Sequence, residues 1–158
     1  MANKIISIFL ATIIYILASN TFASENEEGG LTSGQIAIID IALHSLVNLY
    51  STNQLIVDAY GNSGIPQKEA LAAIQRNRNF LKIISRYAMD IKRQGAKGDK
   101  KATDFINKIT EICTSIDLHI GSIVDYVEKN DKTSVNQLEK NREKVEKLIN
   151  ELLSMELY

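Results

Sequence analysis

Apolar residues recur at alternating spacings of three and four along most of the chain, as they do in α-helices that bury one face. Four such stretches follow residue 30, and no segment shows the strict alternation expected of a β-strand. The first stretch runs from a capping position at Thr32 to about Tyr60, where Gly61–Gly64 ends it. The second begins at Pro66, whose missing N–H is not needed in a first helical turn, and continues to about Gln94.

The third and fourth stretches have equally clear boundaries. Asp99 is a suitable cap for the third helix, and the segment Asn130–Lys132 forms the turn that follows it. The fourth helix is predicted to open at Thr133 or Ser134, with Ser134 and Gln137 at the spacing of a capping box. The inward positions of the third helix form a face of three residues in seven: Ala102, Phe105, Ile109, Ile112, Ile116, His119, Ile123 and Tyr126, with Ile106, Cys113, Ile120 and Val127 beside them.

The helices, each about 25–30 residues long, and their short turns indicate one architecture. Short turns force consecutive helices to lie antiparallel, so the predicted fold is all-α, an antiparallel up-down-up-down four-helix bundle forming a single domain over residues 31–158. Burial of aliphatic and aromatic side chains, at about 1.5–3 kcal/mol each, is expected to offset chain entropy without disulfides or metal. The alternative is a pair of helical hairpins completed by dimerisation, because Ile41 and Leu55 lie off the main apolar face of the first helix.

The N-terminal segment has the three parts of a secretory signal peptide. A single lysine precedes the apolar run Ile5–Ala18, and small residues lie at Thr21 and Ala23. A helix over that run would be about 21 Å long, short of the roughly 30 Å of a membrane's hydrocarbon core. We therefore predict a signal peptide over residues 1–23 that is cleaved after Ala23, with an uncleaved anchor as the alternative. The polar, acidic stretch 24–30 is expected to be a flexible leader.

Composition argues against two classes of protein, and together with the signal peptide it indicates the cellular location. The formal net charge is -1 at pH 7, which argues against a generic polycation that coats nucleic acid, and a single cysteine excludes an internal disulfide. Cys113 falls on the apolar face of the third helix, so we expect a buried packing residue and not an exposed thiol. With no stable membrane span expected after cleavage, the predicted location is secreted or bacterial periplasmic.

Charge is unevenly distributed along the chain. Residues 24–67 hold five acidic and no basic residues, residues 68–101 hold ten basic and three acidic ones, and the remainder is again acidic. Five cations of the second helix recur at spacings of 4, 4, 7 and 4 in a row that we call the basic stripe: Arg78, Lys82, Arg86, Arg93 and Lys97. Such a row attracts acidic proteins, anionic glycans or lipid head groups, although a solvated face that balances acidic neighbours has the same pattern.

Metal or haem binding would depend on two histidines. Asp40 and His44 lie four residues apart on one face of the first helix, which permits a surface metal contact, with an exposed polar face as the alternative. His119 lies at the flank of the apolar face of the third helix, where we expect a hydrogen-bonded histidine in preference to an axial ligand. Bundles that hold two metal ions require a glutamate three residues before the histidine, and neither histidine here has one. These three residues are weak candidates for a metal, and no cofactor is predicted.

Catalysis has no support in the sequence, since Gly-x-Ser-x-Gly, phosphate-binding glycine loops and His-Glu-x-x-His are all missing from it. We therefore predict that the protein is not an enzyme. The sequence Leu31-Thr32-x-x-Gln35 resembles a short motif of small helical periplasmic stress chaperones of the Spy and CpxP type. The resemblance covers five residues, and a helix capping box has the same letters. The resemblance to these chaperones implies a holdase that would use apolar surface on the first helix.

The expected function is that of a secreted or periplasmic, non-enzymatic helical-bundle binding protein of the inhibitor, immunity or host/envelope interaction type. Its partner would be an acidic protein or an anionic envelope component, engaged through the basic stripe, and a homodimer is compatible with the sequence. Nucleic acid is not expected, because a secreted protein seldom meets it. The alternatives are a periplasmic metal- or haem-binding bundle and a small holdase chaperone.

Overall fold

A computed structural model of the protein describes residues 33–94 and 100–155. These residues form four helices: α1 (Ser33–Gly61), α2 (Gln67–Gln94), α3 (Lys100–Lys129) and α4 (Lys132–Leu153). The part of the chain that is described is therefore all-α, as predicted, and none of its helices is long and apolar enough to cross a membrane. The predicted signal peptide, the predicted leader and Lys97 of the basic stripe lie outside the described residues.

Contacts between the helices show their order and direction. Each helix packs against the next along the chain, and α1 also packs against α3. The Gln67 amide at the start of α2 donates to the Val127 carbonyl oxygen near the end of α3. Farther along α2, Arg78 pairs with Asp117, which precedes Val127, so α2 and α3 run in opposite directions. Helices α1 and α3 are parallel, because Gln54 bonds to His119 and the later Tyr60 bonds to the later Val127. Helices α3 and α4 are antiparallel, because Lys108 bonds to Glu151 whereas the later Leu118 bonds to the earlier Asn141. The helices are consistent with an up-and-down bundle.

Helix α3 is central, because it packs against each of the other three helices. Its buried residues follow the face predicted from the sequence: Ala102, Phe105, Ile106, Ile109, Ile112, Cys113, Ile116, His119, Ile120, Ile123 and Val127. Ser115 and Ser122 are buried as well, so this face is wider than predicted. Each fully buried isoleucine contributes about 1.5–3 kcal/mol to folding. The central position of α3 also means that its polar residues meet partners on the surrounding helices.

The start of α4 differs from the prediction. The carboxylate of Asp131 accepts a hydrogen bond from the Ser134 N–H at 2.7 Å, and the Asp131 N–H donates to the Ser134 hydroxyl at 3.1 Å. Asp131 is thus the N-cap and Ser134 the third helical residue, so the predicted pairing of Ser134 with Gln137 was wrong. Gln137 instead donates to the side-chain oxygen of Asn141. An aspartate is favoured as the cap because its charge also complements the positive end of the helix dipole.

Candidate functional site

The described part of the basic stripe lies on the outward face of α2. Lys82, Arg86 and Arg93 have exposed side chains. The opposite face is buried in the core and holds the residues predicted to point inward: Ile74, Leu81, Ile84, Ala88 and Ile91. This separation follows from the helical period, which places the apolar and basic residues on opposite sides of one helix.

Arg78, at the start of the stripe, is engaged within the protein. Its guanidinium donates to both carboxylate oxygens of Asp117 on α3, at 2.8 and 3.1 Å. These hydrogen bonds raise the pKa of Arg78 above its ordinary value. A bidentate pair of this kind fixes the plane of the guanidinium and gives the contact a defined geometry. Arg78 therefore holds α2 against α3 and adds little free charge to the stripe.

Lys82 and Arg86 form the centre of the stripe and lie one helical turn apart. Across the described residues, neither takes part in an ion pair. Arg93 lies 3.9 Å from the carboxylate of Asp90, which is a weak pair between exposed groups. Like charges at i and i+4 repel and destabilise a helix by about 0.2–0.5 kcal/mol. Within the part of the chain that the structure describes, no ion pair compensates the charge at the centre of the stripe.

A groove of about 380 Å³ runs beside the stripe, between α2 and α3. Its lining comes from both helices: Leu81, Lys82, Ser85, Met89, Cys113, Thr114, Asp117 and Leu118. Met89 and Leu118 expose 42% and 54% of their surfaces, whereas Cys113 exposes only 4%. Burial raises the pKa of the Cys113 thiol to about 12, so this cysteine is a packing residue, as predicted, and a poor nucleophile. The lining of the groove thus combines exposed apolar side chains with a cation, Lys82, and with the carboxylate of Asp117.

The surface pair suggested for a metal is occupied by an internal hydrogen bond. The exposed ring of His44 donates from Nδ1 to the backbone carbonyl oxygen of Asp40, at 2.8 Å. The sequence predicted that these residues lie on one face of α1. In the structure the ring of His44 contacts the main-chain carbonyl of Asp40. Among residues 33–94 and 100–155, no group of three or more His, Cys, Asp and Glu side chains could hold a metal ion.

The other histidine, His119, is fully buried between α1, α3 and α4. The side-chain amide of Gln54 donates to its Nε2 at 2.8 Å, and the ring of Tyr50 lies 5.7 Å away between centroids. Burial lowers the pKa of His119 to about 4, and the charge of Arg142 acts in the same direction. The imidazole is therefore neutral near pH 7, and it lies where an interfacial hydrogen-bonded histidine was expected. Its Nδ1 has no hydrogen-bond partner in the described chain.

His119 belongs to a group of polar residues that we call the polar cluster: Tyr50, Gln54, His119, Arg142 and Glu146. The Tyr50 hydroxyl donates to Glu146 at 2.7 Å and so joins α1 to α4. Burial raises the pKa of Tyr50 above its ordinary value, and the bond to Glu146 adds to this. Sequence reasoning missed this cluster, since its members come from three helices. The sequence offers one indication of buried polar groups nearby, because Asn53 is a polar residue at a position of α1 where the helical period expects an apolar one. Asn53 is buried and accepts a hydrogen bond from Asn77.

The two candidate sites differ in accessibility. The polar cluster contains a buried histidine and joins helices, whereas the basic stripe and the adjacent groove face solvent. A partner can therefore reach the stripe without opening the fold. In comparisons with known proteins, no family model, no curated protein and no solved structure matches this chain.

Proposed function

We propose that this protein is a secreted or periplasmic, non-catalytic binding protein that engages an acidic partner through the basic stripe of α2. In this proposal the mature chain is an antiparallel up-down-up-down four-helix bundle that follows a cleaved signal peptide. The observation that carries the proposal is the exposed pair Lys82 and Arg86, which has no ion-pair partner within the part of the chain that is described.

The basic residues of the other described helices have a different setting: several are ion-paired, and the unpaired Lys140 and Lys144 of α4 each follow a glutamate in the sequence. Lys108 is paired with Glu111 and Glu151, Lys129 is paired with Asp125, and Arg142 lies beside Glu139 and Glu146. On α2, by comparison, the segment from Arg76 to Arg93 holds six bases and one acid. A helix that only needed a solvated face would be served by mixed charges such as those of α4.

The attraction that this stripe exerts is long-ranged and sensitive to salt. Clustered charge of one sign raises the rate at which an oppositely charged partner is encountered, and salt screens this effect beyond about 8–10 Å. Each exposed ion pair contributes only about 0.2–1 kcal/mol, so several cations must act together. The stripe is therefore suited to capturing and orienting an acidic surface.

The experiment compares two double variants that change the net charge equally. K82E/R86E reverses the centre of the stripe, and K140E/K144E reverses two exposed lysines of α4 at the same spacing. Arg78 is left unchanged, because its reversal would break the pair with Asp117. The probe is fluorescein-labelled poly-L-glutamate, and its binding is followed by fluorescence anisotropy at low salt.

The unmodified protein and K140E/K144E are expected to bind the probe with similar affinity, and added NaCl should weaken the binding. K82E/R86E is expected to bind about tenfold or more weakly, since two attractions become two repulsions. Equal affinity of the two variants, or no binding by the unmodified protein, would contradict the proposal.

A further inference from the structure

The groove between α2 and α3 is lined by residues of both helices over a length that matches a short helix. Its lining includes the short side chains of Ser85, Cys113 and Thr114, and the large apolar residues Met89 and Leu118 are exposed along it. Leu118 follows Asp117, which pairs with Arg78, so the groove extends along α2 from near Arg78 to Met89. At the rise of an α-helix this is about 16 Å, or three turns.

We propose that this groove binds an acidic, amphipathic α-helix of a partner protein. The inference rests on the proposed function, because it uses the same cations of α2, and it adds the chemical form of the partner. Apolar residues of the partner, at spacings of three and four, would contact the exposed side chains of Met89 and Leu118, which is the pattern by which helices bind in grooves. The unbranched, polarizable side chain of Met89 suits such a contact, since it adapts to different apolar surfaces.

The charges around the groove favour an acidic helix. Lys82 lines the groove, and Arg86 lies one turn farther along α2. Carboxylates at i and i+4 on the partner would meet these two cations at matching intervals. Asp117 also lines the groove, but its two oxygens accept hydrogen bonds from Arg78. Its charge is compensated within the protein and offers little repulsion to an acidic partner.

The same surface is less suited to a lipid bilayer or to helix α4 of a second copy of this chain. A bilayer is flat on this scale, whereas this surface is a groove whose lining includes the buried residue Cys113. Helix α4 of a second copy mixes basic with acidic residues along its length, so it would bring like charges against Lys82 and Arg86. Both occupants are therefore outcomes that the experiment must detect.

The probe is a synthetic peptide of three or more helical turns with leucines at i, i+4, i+7 and i+11 and glutamates on the flanking positions. A peptide of the same composition in scrambled order is its control. The variant M89A/L118A removes the exposed apolar contacts, and L55A removes an exposed leucine of α1 in the same way. Circular dichroism and thermal unfolding show that each variant is folded.

The unmodified protein and L55A should bind the ordered peptide about tenfold more tightly than the scrambled one. M89A/L118A should lose this preference and still bind poly-L-glutamate. The groove proposal alone is overturned if M89A/L118A keeps the preference, or if the protein prefers phosphatidylglycerol vesicles or its own dimer to the peptide. If K82E/R86E binds poly-L-glutamate as well as the unmodified protein does, the proposed function itself fails.

Discussion

Arg78 of α2 and Asp117 of α3 form a bidentate ion pair, at 2.8 and 3.1 Å, while Lys82, one turn away on α2, has no ion-pair partner in the described residues. The row of cations that the sequence presents as uniform therefore has two roles. Arg78 holds two helices together, and the cations that follow it face outward. Stability and binding can be separated on this basis.

Replacement of Arg78 by alanine should lower the free energy of unfolding by about 0.5–1 kcal/mol, because both partners of the ion pair are partly exposed and screened by solvent. Replacement of Lys82 by alanine should change it by less than about 0.5 kcal/mol, as is usual for surface residues. Urea denaturation measures both values. Equal stabilities of the two variants would show that the pair with Asp117 does not hold the helices.

His119 should make the protein less stable in mild acid. Burial lowers its pKa from an ordinary value of 6.5 to about 4, so the unfolded state binds more protons between these values and stability falls as pH drops through this window. The loss is on the order of 3 kcal/mol once the pH is below the folded value. Tyr50, Arg142 and Glu146 are the titratable groups that surround it.

The variant H119Q should flatten this dependence, since glutamine does not titrate, and H44Q should keep it, because His44 is exposed. Chemical denaturation between pH 7 and pH 4.5 measures the slope for each protein. A slope of H119Q that equals that of the unmodified protein would assign the acid sensitivity to other groups.

Cys113 should be protected from alkylation as long as the protein is folded. Its thiol is buried, and a pKa of about 12 leaves very little thiolate at pH 8. Iodoacetamide should therefore modify the native protein at least about a hundredfold more slowly than the protein in urea. Mass spectrometry over a time course gives both rates. Similar rates would mean that the region around Cys113 opens readily.

The cap of α4 can be tested by comparing two exposed residues. Replacement of Asp131 by alanine should lower the melting temperature, because the Ser134 N–H loses its acceptor. Replacement of Gln137 by alanine should have little effect, since its side chain is bonded only to Asn141 on the helix surface. Thermal unfolding separates the two outcomes. A larger effect at Gln137 would restore the capping box that the sequence suggested.

The helical period was sufficient to predict the four helices, the inward face of α3 and the outward position of Lys82 and Arg86. It was not sufficient for contacts between helices, because a period assigns a residue to a face without saying which residue of the neighbouring helix lies opposite. The partners of Arg78, Asn53 and His119 are 24 to 65 residues away in sequence and became evident only in the packed structure. The cap at Asp131 was missed for a local reason, since Asp131 and Ser134 are both good capping residues.

The most direct test of the central claim is an NMR titration of the ¹⁵N-labelled protein with the ordered acidic peptide. The account predicts chemical-shift changes that cluster on α2 from Asn79 to Arg93 and on the facing part of α3 from Cys113 to Leu118, and that weaken with added salt. Shift changes centred on α1 or α4 would contradict it, as would the absence of shift changes at a large molar excess of the peptide.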